Sequence, residues 1–145
     1  KIIRDNGGVP GESWCGDAVA SWYKRAGWKA VTRSWAGVRF LGRLAGQVVV
    51  KLREGLPGDI VVLDFPGGAP EDHTGLLVHY SDSRGNKRKP YKKDGSPNPR
   101  ATHVRLIEGN TGKDGAVSGS TTGGDGVHYR VRPLSQVERI VRVKR

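Results

Sequence analysis

A single cysteine in 145 residues excludes an intrachain disulfide, so the fold must be held by burial. A chain of this length can bury a core without covalent staples. No apolar run approaches the roughly 20 residues that a membrane-spanning helix needs. The first residues also lack a signal-peptide pattern. Methionine is absent altogether. The sequence opens on Lys1, as a domain cut from a longer protein or a processed form would. Acidic residues are scarce, 14 against 25 lysines and arginines, which leaves a formal net charge of +11. Such a surface favours polyanions: nucleic acid, anionic lipid or an anionic cell wall. Zinc-ligand spacing, an aromatic RNA-binding signature and a recognition helix are all missing, so nucleic acid is not the expected partner. There is no internal repeat, and residues 1–145 read as one domain.

The lone cysteine lies in the most organised stretch of the chain. Cys15, Val19, Trp22 and Ala26 recur at i, i+4, i+7 and i+11, one face of a helix. Ser13 is the expected N-cap and Gly27 the expected stop. This puts the thiol in the first helical turn, where backbone N–H groups lack intrahelical acceptors and a thiolate, the nucleophilic form, is favoured. The competing reading is a small buried hydrophobe. A second helix is expected from about Ser34 to Ala45, with Trp35, Val38, Leu41 and Ala45 on its apolar side.

Beyond residue 47 the pattern turns to strands. Val48–Leu52, Ile60–Phe65, His73–Tyr80, Ala101–Glu108, Val127–Arg132 and Val137–Val143 are the expected ones. The second and third are apolar on both faces, as in the middle of a covered sheet. Residues 81–100 read as an exposed basic loop insertion, either solvated and mobile or a contact for an anionic partner. Gly109–Gly126 reads as loop. Helices followed by five or six antiparallel strands make an α+β domain.

A cysteine nucleophile needs a base, a group that orients the base, and oxyanion donors. Four histidines compete for the first role. His73 begins an apolar strand after a Gly/Pro loop, at a sheet end; His79 lies too far along the same strand to share its site. His103 and His128 sit in Arg-rich, exposed-looking sequence. Glu108 and Asn110, two residues apart in an extended chain, face the same way as Val104 and Leu106, and either can orient an imidazole. They can equally order the turn that follows. Gly109–Asp114 lacks the spacing of a phosphate loop.

With Trp14-Cys15 opening a helix, Pro57-Gly58-Asp59-Ile60-Val61-Val62, His73-Thr74-Gly75-Leu76-Leu77-Val78 and Ile107-Glu108-Gly109-Asn110-Thr111 in that order, the chain resembles a CHAP domain, the cysteine, histidine-dependent amidohydrolase/peptidase. That family belongs to the papain-like NlpC/P60 group of cell-wall hydrolases. The resemblance implies a papain-like fold with N-terminal helices packed on the sheet, and hydrolysis of peptidoglycan amide bonds by an endopeptidase or an N-acetylmuramoyl-L-alanine amidase. It makes Cys15 the nucleophile, His73 the base and then the acid, and Glu108 the orienting third member, with Asn110 the close alternative or a fourth polar group. Some phage members bind calcium through acidic residues flanking the cysteine. Asp17 fits the downstream place, while upstream only Asp5, Asn6 and Glu12 are available, so calcium is a weak expectation and no other cofactor is implied. The implied partners are peptidoglycan and anionic wall polymers, without membrane insertion, for a monomer. A phage endolysin would pass from the host cytoplasm to the wall; a bacterial wall-remodelling enzyme would be secreted.

Overall fold

The computed structural model describes residues 14–66, 73–111 and 126–145, with the side chains of Asn110 and Thr111 outside the description. Among these residues the architecture is α+β: one N-terminal helix, α1 (Cys15–Arg25), packs against a six-stranded antiparallel sheet. The strands are β1 (Gln47–Val50), β2 (Ile60–Leu63), β3 (His73–Ser81), β4 (His103–Thr111), β5 (Gly126–Pro133) and β6 (Val137–Val143). Their order across the sheet is β1-β6-β2-β3-β4-β5. The two strands read as apolar on both faces, β2 and β3, are indeed central, and all four residues of β2 are buried. The expected loop at Gly109 is instead the end of β4, which runs on to Thr111 and pairs there with Gly126; residues 112–125 lie outside the described ones.

Alternation along β2 divides the core. Ile60 and Val62 join Val19, Trp35, Leu41 and Val141 under the helix, whereas Val61 and Leu63 join Leu77, Val104, Leu106 and Ile140 on the other face. Helix α1 is sunk deeper than a one-face helix, because Cys15 through Ser21 are all buried. Ala26, expected on the buried stripe, is exposed. Glycines admit this close approach: a Cβ on Gly109 of β4 would stand 2.5 Å from Ala18 Cβ and 2.7 Å from the Trp14 ring. Gly16 packs onto the Ala36 backbone in the same way.

Trp14 holds the N-cap position and makes no side-chain cap hydrogen bond, which displaces the Ser13 cap expected from sequence; Ser13 itself lies outside the described residues. The C-terminal end agrees with expectation. Gly27 takes φ +88°, Gly27 N donates to Lys24 O and Trp28 N to Tyr23 O. This is a Schellman closure, with the Tyr23 and Trp28 rings packed edge-on at 5.4 Å as its apolar clasp. The helix expected over Ser34–Ala45 does not form. Two short 3₁₀ turns, Arg33–Ala36 and Val38–Phe40, stand in its place, separated by Gly37 in an extended conformation. Trp35, Val38 and Leu41 are buried nonetheless, and Ala45 is exposed. Their spacing of three is the period of a 3₁₀ turn, which satisfies the same burial over a shorter length.

Candidate active site

The register of β3 and β4 assembles the polar centre. His73 opens β3 opposite Leu63, and two residues on, Gly75 stands opposite Glu108. His73 and Gly75 share a face, so the Glu108 side chain crosses over Gly75 to reach the imidazole. Only glycine permits this crossing, since a Cβ at position 75 would lie 2.7 Å from Ile107 O and 2.8 Å from Glu108 Cγ. His73 Nε2 then stands 2.8 Å from Glu108 Oε2, with both side chains fully buried.

Glu108 is engaged from its other side by Arg132 of β5. Arg132 Nε donates to Oε1 at 2.9 Å and Nη2 to Oε2 at 2.7 Å. Oε2 is therefore shared between the guanidinium and the imidazole. Burial disfavours the charged carboxylate, but the hydrogen bonds from Arg132 and His73 prevail and hold the Glu108 carboxyl below its usual range. The Phe65 ring lies between the cationic groups, 5.9 Å from the His73 ring and 5.2 Å below the Arg132 guanidinium carbon.

Cys15 is the second group that bears on the His73 ring. Burial alone would lower the imidazole's proton affinity; hydrogen bonding to the Cys15 side chain and to Glu108 overcomes it and carries the pKa to about 9. Nδ1 is the ring nitrogen that Glu108 does not engage. Cys15 is 2% exposed and His73 0%. Among the described residues the first helical hydrogen bond is Ala18 N to Trp14 O at 2.8 Å, so the thiol sits in the first turn of the helix. The arrangement can pass a proton from the thiol to a buried imidazole whose charged form is balanced by Glu108.

Cys15, His73 and Glu108 are thus brought together, and the backbone of Asn110 lies two residues beyond Glu108 on β4 while its side chain is outside the described residues. The other histidines stand apart: His79 Nδ1 donates to Tyr80 O, His103 contacts Thr102 Oγ1, and His128 stands opposite Glu108 on the half-exposed strand β5. Asp17, the calcium candidate, is buried with Oδ1 accepting from Arg33 at 3.1 Å. Its upstream partners Asp5, Asn6 and Glu12 lie outside the described residues. Among the described residues no group of three or more His, Cys, Asp or Glu side chains could hold a metal ion.

Arg132, Phe65 and Gly75 are the parts of the centre that sequence reasoning missed. Gly75 carried a signal, a glycine inside an apolar strand, which marks a close approach. Arg132 alternates with Arg130 in a basic strand and carried none. A separate concavity of about 300 Å³ opens at the far end of α1, lined by Trp22, Tyr23, Trp28, Pro57, Leu76 and Val143. Its polar groups are occupied internally, Tyr23 by Gly58 O and Asp59 by Arg142 and Leu56 N, so it offers walls without an aimed donor or acceptor. No family model matches the chain, and no curated protein is similar to it at significance. No helix among the described residues is long and apolar enough to cross a membrane.

Proposed function

We propose that the chain is a thiol-dependent amide hydrolase of the papain-like kind, acting on bacterial peptidoglycan. The observation that carries the reading is the buried 2.8 Å His73–Glu108 hydrogen bond on an imidazole that Cys15 also contacts. In this reading the Cys15 proton already rests on His73, whose pKa of about 9 keeps the ring charged at neutral pH, and the Sγ thiolate attacks the scissile carbonyl carbon. The carbonyl electron pair moves onto oxygen, where the Cys15 N–H at the helix start donates. Collapse breaks the C–N bond, His73 protonates the departing amine, and a thioester remains on Cys15. Water, deprotonated by His73, attacks the thioester and releases the acid and the thiol. Glu108 keeps the ring oriented and balances its charge throughout, and Arg132 keeps Glu108 ionised. Peptidoglycan as substrate rests on the four motif stretches that resemble CHAP domains, together with a basic surface suited to an anionic wall. Lysis by a phage is the setting these features suit best.

The test is release of new amino termini, without new reducing sugar ends, from purified walls. Cys15→Ala is expected to abolish release while retaining the wild-type thermal transition; full release by that variant refutes the mechanism. A second reading, a wall-binding module with catalysis lost, is favoured by the burial of both Cys15 and His73. It predicts that wild-type protein sediments with walls, yields no new termini, and resists thiol alkylation until unfolded.

A further inference from the structure

The connection between β3 and β4 was expected to be an exposed basic loop, either solvated and mobile or a contact for an anionic partner. It is instead a built frame. Asp82 accepts from Arg84 N, Asn86 N, Asn86 Nδ2 and Arg88 Nη2. Asp94 accepts from Ser96 N and Oγ, and Asn98 Nδ2 donates to Lys89 O. Gly85 and Gly95 supply the positive φ values, +85° and +82°, that the two turns need. From beneath, Arg53 Nη1 spans the carbonyls of Pro90, Asn98 and Ala101. Two isolated bridges, Ser81 to Lys87 and Tyr91 to Pro97, cross the connection.

The charges on this frame are unequal. Residues 82–100 carry seven cations and two acids. Both acids are turned onto the loop's own donors, and Arg88 is paired with Asp82. Arg84, Lys87, Lys89, Lys92, Lys93 and Arg100 are exposed and make no ion pair among the described residues. Ordering costs that a flexible basic tail would meet on binding are already met by the fold. The position matters as much. Strand β3 runs from His73 at one end to Ser81 at the other, about 26 Å at roughly 3.3 Å per residue. That is about three Debye lengths at physiological ionic strength, so these charges do not act on His73. They form a second site, remote from the polar centre.

We infer that the frame of residues 82–100 is a preformed docking surface for the phosphodiester-linked anionic polymers of a bacterial wall, holding the enzyme to its insoluble substrate. The partner class rests on the function proposed above. Nucleic acid fits the surface less well: Tyr91, half-buried, is its only aromatic side chain, and no helix is presented to a groove.

The test is made in the Cys15→Ala background, so that binding is read without catalysis. The variant K87E/K89E/K92E/K93E is compared with its parent by sedimentation with native walls and with walls stripped of phosphodiester polymer. The expected result is at least about a tenfold loss of binding to native walls, a shallower salt dependence, and no difference on stripped walls. The corresponding lysine-to-glutamine variant, which removes charge without reversing it, should fall between and guards against misfolding. With Cys15 intact, both variants should cleave a short soluble muropeptide at the wild-type rate. Equal binding to native walls, a loss that persists on stripped walls, or tighter binding to duplex DNA than to purified wall polymer at equal ionic strength would overturn the inference. Absence of cleavage by the wild type, with the binding loss present, would instead count against the hydrolase reading and leave the docking surface standing.

Discussion

Gly75→Ala is the substitution that tests the architecture of the polar centre most directly. The new Cβ would lie 2.7 Å from Ile107 O and 2.8 Å from Glu108 Cγ, where ordinary contacts begin at 3.4 Å. The carbonyl is held in the β3–β4 ladder, so Glu108 must yield, by about 0.6 Å at its Cγ. Its carboxylate is fixed by three bonds of 2.7–2.9 Å to two buried partners, and such a shift stretches or breaks at least the one to His73. Overpacking costs about 1–3 kcal/mol and a weakened charged hydrogen bond a similar amount. We therefore expect a loss of about 2–4 kcal/mol in urea unfolding. Loss of ring orientation should lower hydrolysis about a hundredfold. The imidazole, now less well paired, should titrate below the pKa of about 9 that it has with Glu108 in place. The readouts are denaturant titration, wall hydrolysis and the NMR titration of the His73 ring. A variant with wild-type stability and rate, and with His73 titrating at its original pH, would refute the claim that Glu108 needs the space above residue 75.

Two further outcomes follow from the same centre. The folded chain holds the His73 proton more tightly than the unfolded chain, about 9 against 6.5, so its contribution to stability is complete below pH 6.5 and is lost as pH rises through 9. The difference in unfolding free energy between wild type and His73→Gln should thus shrink by roughly 3 kcal/mol from pH 6 to pH 10; a constant difference would contradict it. Arg132→Met leaves the buried Glu108 carboxylate with His73 alone and is expected to cost about 3–5 kcal/mol. Because Glu108 has a lowered pKa in the folded state, its stabilisation is present above 4.5 and is lost as pH falls. Without Arg132 that loss begins at higher pH, so the acid unfolding midpoint should rise; an unmoved midpoint would count against the pairing.

Much of this centre was legible in the residues because strands betray themselves by apolar runs between Gly and Pro. His73 was placed at a strand start, and Glu108 on the face of Val104 and Leu106, by period-two alternation alone, and the register joins them. What alternation cannot give is the partner across a strand that is not a neighbour in sequence. Arg132 reaches Glu108 from β5, and no local pattern distinguishes it from Arg130. The failure over Ser34–Ala45 has another cause. A spacing of three between Trp35, Val38 and Leu41 fits an α-helix loosely and a 3₁₀ turn closely, and Gly37 decides between them. The basic connection read only as an exposed loop because its composition is polar; its order comes from Asp82, Asp94 and Arg53, whose partners are set by turns that composition does not reveal.

The strand order has a consequence for how the chain comes to be folded. β6 lies between β1 and β2, so β1 has no sheet neighbour until the polypeptide has been made through Val143. Synthesis therefore delivers Cys15, His73 and Glu108 well before the sheet that supports them can be completed. The nascent chain must carry the unpaired edge of β2 meanwhile, a surface open to wrong pairing. Closing a loop of some ninety residues between β1 and β6 is a slow, non-local step. The β1 side of the sheet is therefore completed only when β6 arrives.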